Sequence, residues 1–345
     1  MLFASALAGL FLAGSCQREN LEPQQTEQQV TFTIEAPAAL QTKAIADGLN
    51  VDELIYEVWI TEAQNAETLD GATRLYQAKT EMQYDETNKR MKANITLDLV
   101  NDQNFTILFW AQKKGINVYD TEWLNAVTYQ NLKENAYAAN DNRLDAFYAK
   151  AYVVDCQTKT PTVTLRRPFA QVNLCTTNSK EAEQVEGDYS ISLVSSEMRL
   201  DAVPTVFNVA TSETSKYVVV DFAAHDVPSG DDQKITVNGK QYYYAGMNYV
   251  FAGANTVLTY DIHTKLNGTD EATVNNTIHN VPLKENHRTN IVGNLLTSAA
   301  EFDIIVDDEF ETPDNIVDEG GSTGGGESQE PVIDFEIAMR LLSVE

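Results

Sequence analysis

The 345-residue chain is short of positive charge, with 24 Lys+Arg against 51 Asp+Glu and a net charge of -27. That balance excludes a nucleic-acid binder, which must neutralise phosphates with a basic face, and disfavours anionic membrane surfaces. Histidine is equally scarce. His225, His263, His279 and His287 are dispersed, and none forms the i, i+4 pair of a helical zinc site. No apolar run is long enough to span a bilayer as a helix: Met1 to Gly14 is uncharged but has only fourteen residues. The three cysteines leave Cys156 and Cys175 as a candidate disulfide once Cys16 is set aside, with two buried free thiols at least as good a reading. What is plentiful is core material: 43% of residues are hydrophobic, so the chain folds despite its charge.

The two ends differ from the body. Met1 to Gly14 reads as the apolar core of an export signal, and Leu12-Ala13-Gly14-Ser15-Cys16 followed by Gln17-Arg18-Glu19-Asn20 resembles a bacterial lipobox. In that reading residues 1–15 are a signal peptide, Cys16 is lipidated and 16–28 form a polar linker. Residues 301–345 hold fourteen acids and one base, Arg340. Within them Gly320 to Gly326 has flexible linker composition. Ile333, Phe335, Ile337, Met339 and Leu341 then alternate with Asp334, Glu336, Ala338, Arg340 and Leu342, the period of a strand with one buried face; a helix is the rival reading.

Between the ends, short alternating runs are divided by Asn, Asp, Gly and Pro, the pattern of all-β sandwiches. Val30 to Ile34, Leu54 to Ile60, Met91 to Leu99, Asn104 to Ala111, Asp145 to Val154 and Thr162 to Leu165 form a first group. The run at 104–111 is apolar on both faces, as in a central strand. Residues 121–142 lose the alternation. Arg166-Arg167-Pro168 reads as a domain joint, because proline removes a ladder donor and restricts the residue before it. A second group begins at Phe169 and ends at Val306. Two sandwiches are expected, at 29–166 and 167–310, followed by an acidic tail at 311–345.

Catalytic signatures are lacking. Gly320-Gly321-Ser322-Thr323-Gly324 matches the letters of G-x-S-x-G, but a glycine linker does not supply the strained strand-to-helix turn that presents a nucleophile. The run Asp307 to Asp314 lacks the spacing of a calcium loop. Tyr242, Tyr243 and Tyr244 point to alternate faces of a strand, so they pack rather than line one sugar site. No enzyme activity, metal or cofactor is expected.

Leu165-Arg166-Arg167-Pro168-Phe169-Ala170-Gln171-Val172-Asn173-Leu174, Met247 to Phe251, Arg288 to Thr297, Phe105 to Gln112 and the lipobox-like Cys16 together resemble the fimbrillin family, the FimA/Mfa-like lipoprotein pilins of Bacteroidales-type fimbriae. The resemblance implies two tandem transthyretin-like Greek-key sandwiches, export as an outer-membrane lipoprotein, proteolytic loss of the first strand and polymerisation by donor-strand exchange. Carried onto this sequence, Val30, Phe32 and Ile34 lie on the strand to be removed, Lys43-Ala44 is the processing site, and Ile333 to Leu341 is the donor. The implied partners are other fimbrial subunits, the membrane through the lipid, and a host glycan or protein. The alternative is a non-polymerising surface lipoprotein that binds glycans or host proteins through its loops.

Overall fold

The computed structural model describes residues 27–37, 48–129, 141–154, 161–177, 191–227, 234–253, 255–266, 271–295 and 302–309. Among them the protein is all-β, with single 3-10 turns at Leu124–Ala126 and Asn142–Leu144. Nineteen strands form four sheets.

The first sandwich is built from two four-stranded sheets. One has the order β10 (Thr162–Thr164), β1 (Glu27–Glu35), β5 (Arg90–Val100), β4 (Gln83–Asp85). The other runs β3 (Thr73–Glu81), β2 (Glu53–Thr61), β6 (Asn104–Gln112), β9 (Ala146–Val154). Strict alternation along β5 sends Met91, Ala93, Ile95, Leu97 and Leu99 inward to meet Leu54, Val58, Phe105, Ile107 and Phe109 of the facing sheet. β6 pairs on both sides, with β2 and β9, and is buried on both faces, which accounts for its unbroken apolar sequence.

The second group of sheets starts earlier in the chain than the joint. β7 (Tyr119–Asp120) and β8 (Val127–Tyr129) lie in a six-stranded sheet with β12 (Ile191–Asn208), β13 (Glu213–Asp226), β16 (Thr256–Leu266) and β17 (Glu271–Val281). The fourth sheet has the order β14 (Lys234–Val237), β15 (Lys240–Phe251), β11 (Phe169–Thr176), β18 (His287–Gly293), β19 (Phe302–Glu309). Strand β12 runs for eighteen residues. It passes through Pro204 because a register shift between Leu200 and Val203 stands beside the proline, a place where a missing ladder donor is tolerated. Gln241 to Tyr244 and Tyr249 to Phe251 are one strand, β15. Gly246 sits mid-strand where an added Cβ would be 2.9 Å from Ser196 Oγ, so the strand needs a residue without a side chain there.

The second face of the β2–β6 sheet is packed against the later strands. Trp110 of β6 lies 5.4 Å from Tyr119, 6.5 Å from Phe207 and 6.4 Å from Phe251, and Phe251 stacks on Phe169 at 5.1 Å. Ile55, Trp59, Leu108 and Trp110 thus share one continuous apolar cluster with the core of the second group. An aromatic seam of this kind joins the two halves as a core would.

Candidate assembly interface

Strand β1 carries three of the residues singled out above. Val30, Phe32 and Ile34 are 1%, 0% and 0% exposed, and the Phe32 ring lies 6.0 Å from Phe109 of the facing sheet. The other face of β1 is held by side chains of β5. Thr31 and Thr96 hydroxyls lie 3.0 Å apart, the Thr33 hydroxyl donates to Asn94 Oδ1 at 3.0 Å, and Arg90 Nη1 reaches Glu35 Oε2 at 2.8 Å. Burial of three such side chains stabilises by roughly 1.5–3 kcal/mol each. A sandwich without β1 would expose the floor on which they rest.

The backbone of β1 is not held evenly. All nine residues pair antiparallel with β5, from Glu27 opposite Val100 to Glu35 opposite Lys92. On the opposite flank, β10 pairs in parallel only with Thr33, Ile34 and Glu35, and Leu165 N–H donates to Glu35 O at 2.8 Å. Among the described residues, the segment 27–32 therefore has a strand neighbour on one side only. Where β1 ends, the Pro37 carbonyl and Gly48 approach closely: a Cβ on Gly48, whose φ is +73°, would be 3.3 Å from Pro37 O. Lys43 and Ala44 fall between these two positions and lie outside the described residues, as do Cys16, Cys156 and the tail residues Ile333, Phe335, Ile337, Met339 and Leu341. Cys175, on β11, is a fully buried free thiol, and burial pushes its pKa up.

Directly after β10 the chain enters Arg166-Arg167-Pro168, which is a clasp rather than a flexible joint. Arg167, 2% exposed, forms a forked pair with Asp145, 1% exposed: Nε lies 2.9 Å from Oδ1 and Nη2 lies 2.8 Å from Oδ2. Its guanidinium also covers the Phe147 ring at 4.5 Å, and its backbone N–H faces Asn286 Oδ1 at 3.4 Å. Arg166 donates through Nε to the Tyr148 hydroxyl at 2.9 Å and pairs with Glu285 at 2.9 Å. The Tyr148 hydroxyl in turn donates to Glu285 at 2.5 Å; burial, then the neighbouring Glu285 charge, push the phenol pKa up. β9, the 166–168 link and the turn before β18 are thereby tied together. The sequence marks the link by its residues but carries no local sign of Asp145, Glu285 or Asn286 as partners, because those contacts span 22 to 119 residues.

A second buried carboxylate tethers the segment that enters the six-stranded sheet. Glu57 of β2 is 0% exposed and accepts from Arg74, Gln77, the Trp59 indole and Leu124 N–H, between 2.8 and 3.1 Å. The Arg74 guanidinium lies over the Trp123 ring, 3.4 Å from its centroid. This saturated acceptor fixes residues 121–124, where the sequence has no periodicity to read.

Over residues 22–333 the sequence matches a family described as a family of unknown function (DUF6562), and the chain belongs to that family. No curated protein matches it in sequence. Among solved structures it is similar to a fimbrial assembly protein from Parabacteroides distasonis, with 12% identity, TM-score 0.41, and coverage of 82% of this chain and 96% of that one. It is also similar to the tip fimbrial protein Mfa3 from Porphyromonas gingivalis with C-terminal truncation, with 10% identity, TM-score 0.42, and coverage of 81% and 100%.

Proposed function

We propose that the protein is a non-enzymatic structural subunit of a cell-surface fimbria, exported as an outer-membrane lipoprotein, which loses β1 by proteolysis and polymerises when a donor strand from another subunit takes its place. The observation that carries this reading is β1 itself. It is the first described strand, its apolar face completes the first core, and its opening half has a strand neighbour on one flank only. A cut between Pro37 and Gly48 would separate it from β2 without breaking another described strand. The emptied place would offer unpaired ladder groups and an apolar floor to an incoming strand.

The C-terminal segment suits the vacancy residue by residue. Ile333-Asp334-Phe335-Glu336-Ile337 repeats the pattern Val30-Thr31-Phe32-Thr33-Ile34, with phenylalanine at the centre and β-branched residues two positions to either side. In the same direction and register, Phe335 would rest on Phe109 and Glu336 would stand opposite Asn94, diagonal to Lys92. In this reading Cys16 carries the lipid, Lys43-Ala44 is the cleavage site, and the domains are the sandwiches 29–166 and 167–310, the second borrowing β7 and β8.

The test is N-terminal sequencing of protein sheared from the cell surface, together with deletion of 331–345. A mature terminus at Ala44 and loss of polymer ladders from a still-folded monomer are expected. A surface protein that keeps β1, with ladders unchanged by the deletion, would refute the reading and favour a non-polymerising lipoprotein.

A further inference from the structure

The edge strands of the four sheets are protected unequally. β10 and β4 have three residues each and β14 has four. β3 carries Arg74, Lys79 and Glu81; β17 carries Asn275, Asn276, His279 and Asn280; β19 carries Asp303 and Asp307. Short length and interspersed charge are the usual means by which a sheet edge avoids pairing with another chain. β13 has neither in its middle. It is fourteen residues long, pairs with β12 alone among the described residues, and presents Tyr217, Val218 and Val219 at 49%, 37% and 47% exposure. Among the described residues, three of the eight exposed large hydrophobics are thus consecutive on one edge.

We propose that this edge pairs with β13 of a second copy, antiparallel and symmetric about Val219, joining the two six-stranded sheets into one. A two-fold axis perpendicular to the sheet keeps each side chain on its own face, so opposed residues must have numbers of the same parity. Centred on Val219, the pairing sets Val219 against Val219 and Val218 against Val220. Each Tyr217 phenol then faces Asp221 of the other copy, an acceptor that Arg199 already attends at 3.1 Å. No like charges oppose one another between 217 and 221. The acidic C-terminal segment fits this edge poorly, because Asp334 and Glu336 would approach Asp221. This association is independent of the donor-strand reading. About five residues per strand make a small interface, so the dimer is weak, with a Kd on the order of 10–100 µM.

The test is sedimentation equilibrium of the full chain up to about 1 mM, beside oxidative cross-linking in a Cys16→Ser, Cys156→Ser background. Across such a pair the two Cα atoms lie about 4.5–5.5 Å apart, within disulfide range. Val219→Cys should therefore give a covalent dimer, whereas Thr277→Cys, exposed on the opposite edge of the same sheet, should not. Val219→Lys places two ammonium groups face to face and should weaken the dimer at least about tenfold. Deletion of 331–345 should leave it unchanged. A monomer at every concentration, equal cross-linking at Thr277, or loss of the dimer with the tail would each overturn the proposal.

Discussion

Phe32→Ala tests the role of β1 most directly. The ring is 0% exposed, stands at 6.0 Å and 57° to Phe109, and has Val30 and Ile34 beside it on the same face. Truncation removes the buried ring and leaves a void. Because the β5 ladder holds all nine residues of β1 in register, the strand cannot slide to fill it. The cost is then about 3–5 kcal/mol, a large share of the roughly 5–15 kcal/mol that stabilises a typical protein. Urea unfolding of the unprocessed chain, followed by tryptophan fluorescence, should show the midpoint falling by about 1–2 M. Thr31→Ala, on the outer face of the same strand, should shift stability by less than about 1 kcal/mol. In the proposed assembly β1 leaves for a donor to enter, so a synthetic peptide of residues 331–345 should enter the Phe32→Ala chain faster than the wild type. A loss below about 1 kcal/mol for Phe32→Ala would mean that β1 does not complete the core, and the assembly argument would fail with it.

Asp145→Asn should destabilise by about 3–5 kcal/mol, because Arg167 is left charged and buried; Asp145→Leu combined with Arg167→Met should lose much less, as thermal denaturation of the three chains will show. His225 is held below its ordinary pKa of 6.5, mainly by burial, with the Ala223 carbonyl and Asp226 opposing. Between that lowered value and 6.5 the unfolded chain binds more protons, so this contribution to stability is complete above about 6.5 and is lost as pH falls through the folded value. His225→Gln should flatten that part of a stability-against-pH curve. In a Cys16→Ser, Cys156→Ser background, Cys175 should react with a thiol reagent only on unfolding, since burial disfavours the thiolate; rapid modification of the native chain would contradict its placement in β11.

Strands with one wet face were legible in the sequence: β5 and β1 follow from alternation alone, and β6 from its unbroken apolar run. β3 escaped because both its faces are partly exposed, so Thr73–Glu81 has no period to detect. β17 shows little period over Glu271 to Thr277 for a related reason, since asparagines and threonines occupy its outward positions. Of the candidate interface, the apolar triplet Val30, Phe32 and Ile34 could be read directly. The clasp could not. Arg166-Arg167-Pro168 looks like a place where a chain bends, and only the fold shows Arg167 enclosed with Asp145. Proline restricts its own neighbourhood, but what a restricted segment grips is decided by residues 22 to 119 positions away.

That enclosed arginine has a mechanical consequence. A linker of solvated residues would let the two halves swing, and a fibre of such units would bend within every subunit. Here the link is tied by a buried fork, a tyrosine relay and a seam of stacked rings, so the two sandwiches are held against independent swinging. If the protein polymerises as proposed, compliance under flow or pull would reside at the junctions between neighbours rather than within each copy.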